Sequence, residues 1–196
     1  MASISIKKAL FSFVSAGMLC ASATIAAAES YTVDLSHSFI QFRTKHLGMS
    51  WLPGQFNKFE GTMNYDPNKG PEAQSINITI DTTSIDTNWA DRDKHLRSAD
   101  FFNVDEFPTA KFESTGYEGN EEGGTLSGNL TLLGVTKPIS FEIKRIGEGA
   151  DPWGGYRAGF EGSFDLKRAD WGMDYNLGPL AEVVEVSLFI EAIKDK

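Results

Sequence analysis

The densest group of ionisable side chains in the sequence is Asp91, Arg92, Asp93, His95, Arg97 and Asp100. Residue types of this kind could transfer protons, meet a polar ligand head or bind a partner. They could equally be the exposed, ion-paired face of a short helix, and such pairs stabilise only modestly. Asp91 and His95 stand four apart, a spacing that lets them pair on one helix face, whereas Asp91 and Asp93 do not face each other. Arg92 and Arg97 are suited to tying loops together through bidentate carboxylate contacts. The three histidines, His37, His46 and His95, have no metal-ligand spacing among them. His37 is expected to fix a turn, and His46 to end a strand near an opening. The sequence has no Gly-x-Ser-x-Gly elbow, phosphate loop or dinucleotide fingerprint. No catalytic residue, metal or cofactor is therefore assigned.

The elements that would position these groups are mostly strands. Tyr156, Ala158, Phe160, Gly162, Phe164 and Leu166 alternate with polar residues, and the same period of two recurs through Leu126–Leu132, Ile139–Ile143, Ile76–Ile80 and Val184–Ala192. This pattern predicts eight strands, near 31–47, 53–65, 73–82, 109–119, 124–133, 136–148, 155–167 and 181–194. Turn residues separate them: Asp66–Gly70, Gly119–Gly124, Gly134 with Pro138, and Gly147–Gly155. Between Trp89 and Ala99 the period becomes helical. Asn88 is placed to cap that helix, and Trp89, Leu96 and Ala99 share a face. Phe101, Phe102, Val104 and Phe107 follow as an apolar turn.

Sequential antiparallel hairpins suit either a sandwich or a closed barrel, and eight strands favour the barrel, with the short helix near an open end. Its inward residues would include Ile40, Phe42, Phe59, Met63, Ile78, Phe112, Leu130, Phe141, Phe160, Phe164, Val186 and Leu188, with Trp171 closing one end. Glycines at 61, 116, 128 and 162 beside large rings would leave an apolar channel. The competing expectation is an interior filled by its own side chains. A channel would take a lipid tail, held by burial at about 25 cal/mol per Å². His46, Arg92, Asp93, His95 and Arg97 would then stand at the rim, near a ligand head.

Residues 1–28 have the form of a secretory signal: Lys7 and Lys8, an uncharged run, then Ala26-Ala27-Ala28. Cleavage after Ala28 would leave one domain, 29–196. It would also remove Cys20, the single cysteine, so the remaining chain would form no disulfide. Losing Lys7 and Lys8 takes the net charge two units below the −9 of the full chain, to −11. So acidic a chain, with no basic block, is a poor partner for nucleic acid or an anionic membrane. A homodimer is left open, since no interface pattern stands out.

Several motifs carry a resemblance. Tyr31-Thr-Val-Asp34 with His37-Ser38 is followed by Gly54-x-Phe56-x-x-Phe59-x-Gly61. The longest block is Ser84-Ile-Asp-Thr87, then Arg92-Asp-x-His-Leu-Arg-Ser-x-Asp-Phe-Phe102, ending at Phe107-Pro108. Gly134-Val-Thr-Lys-Pro138 and Arg168-x-Asp-Trp-Gly172 come later. Over residues 29–196 the chain resembles the YceI-like periplasmic proteins. That resemblance implies an all-β, lipocalin-like barrel whose interior accommodates a polyisoprenoid or ubiquinone-type lipid. It also implies a periplasmic role in isoprenoid binding, storage or transport, or in stress responses. The alternative is a non-lipid interaction module acting through the charged helix block, or, more remotely, an unrecognised enzyme.

Overall fold

The computed structural model describes residues 28–66, 68–70 and 73–196, so the expected signal segment, Ala28 apart, lies outside the described residues. The strands are β1 (Glu29–Val33), β2 (Phe39–His46), β3 (Ser50–Phe56), β4 (Phe59–Tyr65), β5 (Ser75–Asp81), β6 (Ile85–Asp86), β7 (Thr109–Asn120), β8 (Gly123–Leu132), β9 (Val135–Ala150), β10 (Tyr156–Lys167) and β11 (Val183–Lys194), with one α-helix, α1 (Ala90–Arg97). All pairings are antiparallel, and β1-β4-β5-β7-β8-β9-β10-β11 closes on itself through a β1–β11 pairing. The result is an eight-stranded lipocalin-like barrel, as the alternation and the resemblance led one to expect.

The first two expected strands are each divided into two pieces, and the third, β5, is followed beyond its expected end by the short β6. β1 and β2 are divided at Asp34–Ser38, where the Asp34 amide donates to the Glu191 carbonyl and Ser38 bonds both backbone groups of Glu191. β11 therefore pairs with β2 over Phe189–Glu185 and with β1 over Ala192–Lys194. β3 and β4 are divided at Asn57–Lys58, whose amides reach Ser84. β5 and β6 are separated by a single 3₁₀ turn at Thr82–Ser84. Bending lets β2, β3 and β6 extend the wall beyond the closed ring, as the order β11-β2-β3-β6 records.

Two β-bulges shift the inward face. Thr115 is the extra residue on β7, between Ser114 opposite Gly128 and Gly116 opposite Ser127. Ile146 is the extra residue on β9, facing the Gly159–Phe160 step of β10. The β8–β9 connection is tighter than expected: Leu133 and Gly134 both take positive φ, 52° and 72°, while Pro138 lies within β9 opposite Asn129. The β9–β10 loop likewise shortens to residues 151–155. There Asp151 accepts the amides of Trp153 and Gly155.

The helix covers one end of the barrel, though not as the sequence indicated. Asn88 is not its cap; it sits at φ 62°, and the extended residue before the helix is Trp89, which makes no side-chain cap bond. The capping contact comes from inside the helix, where the buried Asp93 carboxylate accepts the Thr87 amide and hydroxyl. Trp89 is 62% exposed and Ala99 is exposed as well, so Leu96 alone of the expected apolar face packs on the core. Phe101 and Phe102 supply the apolar plug, with Phe102 edge-on to Phe56 at 5.5 Å.

Candidate functional site

The interior beyond that plug is not filled. A cavity of about 140 Å³ runs from Tyr65, Asn64 and Asn120 at the end holding the β4–β5 and β7–β8 turns down to Ile40 and Val186. Its wall is almost entirely apolar, because inward positions of β2, β4, β5 and β7 to β11 carry Ile, Leu, Val, Met and Phe.

Ten of the sequence-derived candidates line it: Ile40, Met63, Ile78, Phe112, Leu130, Phe141, Phe160, Phe164, Val186 and Leu188. Phe42, Phe59 and Trp171 do not. Phe42 packs over Gly54 and against Phe56 at 5.7 Å. Phe59 is buried within the core, and Trp171 is buried there with its indole N–H donating to the Leu130 carbonyl at 3.2 Å. Gly162 lines the cavity and Gly116 faces open space, but the gaps at Gly61 and Gly128 are not sources of the space. A Cβ at Gly128 would lie 2.4 Å from the Phe112 ring and one at Gly61 2.4 Å from Ile78, so neighbouring side chains already occupy both gaps.

The lining also includes Ile76, Ile80, Leu126, Ile139, Ile143 and Ile190, which the period of two contains but the candidate set omitted. Tyr117 was hidden by the β7 bulge: strict alternation from Phe112 points Ser114 and Gly116 inward, whereas the extra Thr115 turns Tyr117 in. Arg145 continues the Ile139, Phe141, Ile143 series and lines the wall as its cation. Its Nε donates to the Glu121 carbonyl, tying β9 to the β7–β8 turn.

The charged residues expected at the rim are not near this mouth, because α1 covers the opposite end. They build that end instead. Arg92 donates to the Thr87 hydroxyl and carbonyl, and Arg97 to the carbonyls of Thr83 and Ile85 at 2.8 and 2.7 Å. Neither arginine takes the carboxylate partner expected of it. His95 pairs with Asp100 at 2.9 Å rather than with Asp91, and its ring lies edge-on to Phe101 and Tyr175. His46 ends β2 and is exposed at the α1 end.

Asp34, His37 and Glu191 bring three ligand-type atoms close together. The Arg157 guanidinium already occupies the space between the carboxylates, at 2.7 Å from Asp34 and 2.6 Å from Glu191, and repels a cation there. His37 bonds Asp34 at 2.8 Å and so fixes this turn. Hydrogen bonds from Ser36, then from Arg157 and His37, hold the Asp34 carboxyl well below the usual carboxylate range.

The family model of the YceI-like domain matches residues 31–192. A UPF0312 protein of Pseudomonas aeruginosa is 53% identical over 171 residues, covering 86% of this chain and 89% of that one. A UPF0312 protein of Yersinia enterocolitica is 50% identical over 182 residues, covering 92% and 94%. Among solved structures, Burkholderia cenocepacia BcnA superposes with a TM-score of 0.72 at 22% identity, over 81% of this chain and 98% of that one. The Campylobacter jejuni YCEI protein gives 0.70 at 27% identity, over 78% and 90%. A polyisoprenoid binding domain from Saccharophagus degradans gives 0.65 at 17% identity, over 85% and 99%. A match along nearly the whole barrel, together with relatives half identical over most of their length, makes this chain a member of the YceI-like family.

Proposed function

We propose that the protein binds a polyisoprenoid lipid, of ubiquinone or polyprenyl type, inside its barrel and stores or carries it in the periplasm. The observation that carries this reading is an almost wholly apolar cavity within a closed barrel. A branched hydrocarbon chain gains from such a wall through burial and close packing, while sugars, nucleotides and peptides would lose hydrogen bonds to water there without replacing them. The fold shared with a polyisoprenoid binding domain supports the same class of cargo. The charged block on α1 does not favour an interaction module, since Arg92, Asp93 and Arg97 are engaged within the molecule. The match to the YceI-like family and the likeness to a polyisoprenoid binding domain support a binding protein rather than an enzyme. Export rests on the Lys7-Lys8 to Ala28 pattern. Among the described residues no helix is long and apolar enough to cross a membrane.

Native mass spectrometry of protein purified from the periplasm, followed by organic extraction, tests the reading. The expected result is a stoichiometric excess mass that resolves to a polyprenyl lipid. Protein that is empty and also fails to take up added ubiquinone would overturn it.

A further inference from the structure

The mouth end of the cavity differs chemically from the rest. Most polar groups around it are satisfied by one another. Asn64 bonds Ser75, Gln74 bonds both backbone groups of Asp66, and the Tyr117 hydroxyl donates to the Asn120 carbonyl. Tyr65 is the exception. It lines the cavity, is 8% exposed, and its hydroxyl makes no hydrogen bond of normal geometry, only a loose one towards Glu148. Glu148, on β9 beside it, has a buried Oε2 that likewise lacks a well-formed bond. Arg145 lines the same end, and its Nη1 stands 3.5 Å from Glu148, beyond the range of a strong charge-assisted bond.

Native interiors seldom leave such groups unpaired, and each one that stays so costs stability. A donor, an acceptor and a loosely held guanidinium left together at one end of an apolar channel are the complement of a lipid's polar head. The local charge decides which head. Among the described lining residues Arg145 is the cation, and it already faces Glu148, while Glu121 and Glu161 share the wall. A phosphate would meet more negative than positive charge. Tyr65 remains a neutral donor throughout the physiological range, because burial first and Glu148 second raise its phenol.

Building on the lipid-binding reading above, we propose that Tyr65, Arg145 and Glu148 form a head-group site for a neutral, oxygen-bearing isoprenoid. The head's carbonyl or hydroxyl oxygen accepts from Tyr65 and Arg145, and a hydroxyl head also donates to Glu148. The tail then runs past Ile76, Leu126 and Phe141 towards Val186.

The test compares three twenty-carbon probes on delipidated protein: phytane, which has no head, geranylgeraniol and geranylgeranyl diphosphate. Geranylgeraniol should bind about tenfold more tightly than either of the others, the worth of roughly one hydrogen bond. Tyr65→Phe should remove that tenfold advantage and leave phytane binding unchanged. Its Tm should stay within about a degree or rise, since the lost hydroxyl had no well-formed bond. Equal affinity for phytane and geranylgeraniol in the wild type would overturn the head site and leave lipid binding intact. Tightest binding of the diphosphate, or equal losses for both neutral probes in Tyr65→Phe, would also overturn it. Failure of all three probes to bind would overturn both readings.

Discussion

Val186→Thr tests whether a chain lies along the deep part of the channel. Val186 faces inward on β11 opposite Phe42 and Phe164 and lines the cavity. Threonine keeps the β-branched shape and strand preference while replacing a methyl by a hydroxyl. In the unliganded protein a cavity of about 140 Å³ has room for water beside that hydroxyl, so stability should fall by only about 1 kcal/mol. A bound hydrocarbon would expel that water and leave the hydroxyl unpaired. The cost of about 1–3 kcal/mol then falls on binding, a loss of roughly 5- to 150-fold in affinity. Val183→Thr is the control, because Val183 is exposed near the same end of β11. Urea unfolding measures the first quantity and titration with geranylgeraniol the second. Binding by Val186→Thr within twofold of wild type, alongside normal folding, would show that the cargo does not reach the lower half of β11.

Two further predictions concern what holds the barrel ends. Arg168 is buried without a carboxylate partner and donates to the carbonyls of Ala181, Met173 and Tyr175 at 2.8, 3.0 and 3.1 Å. Arg168→Met keeps the stem but orphans all three, and should cost about 3 kcal/mol in urea unfolding; a loss under about 1 kcal/mol would mean that water replaces the guanidinium. At the mouth end, the depressed pKa of Asp34 stabilises the fold fully above the unfolded carboxylate value near about 4, and that contribution is lost as pH falls towards the folded value. Asp34→Asn should therefore be less stable than wild type at neutral pH, with the gap closing as the solution is acidified below about pH 4. A gap that stays constant with pH would refute the linkage.

The barrel was legible because its walls are half-buried strands, and a period of two survives in Tyr156–Lys167, Leu126–Leu132 and Val184–Ala192 wherever one face meets apolar neighbours. The breaks were not legible. Nothing in the local alternation of residues 31–47 announces the kink at Asp34–Ser38, which is set by Glu191, far away in the sequence. The helix was found by its change of period, but its capping was misread. Asn88 is a good cap by type; the structure uses it for a left-handed turn and hands the capping contact to Asp93, whose partner Thr87 lies before the helix. Its charges therefore look like a surface site in the sequence and are internal ties in the fold.

The cavity was half legible for a related reason. Inward residues can be read from strand phase only as far as the next bulge, so Phe112 was placed and Tyr117 was not. Arg145 had a clearer signal, a charged residue at the position where the Ile139, Phe141, Ile143 series calls for an apolar one. Such a residue is either an error of phase or a group that the interior requires. The bulge at Ile146 lies after Arg145 rather than before it, so the phase is intact and the arginine does face the channel. An inward cation in an apolar wall needs partners, and those it has, the Glu121 carbonyl and a distant Glu148, leave hydrogen-bonding capacity unspent. The departure from the alternating pattern is thus where the proposed head-group site lies. On the proposed reading, the residues that obey the pattern form the wall for an isoprenoid tail, and those that break it supply the groups that would tell one head from another.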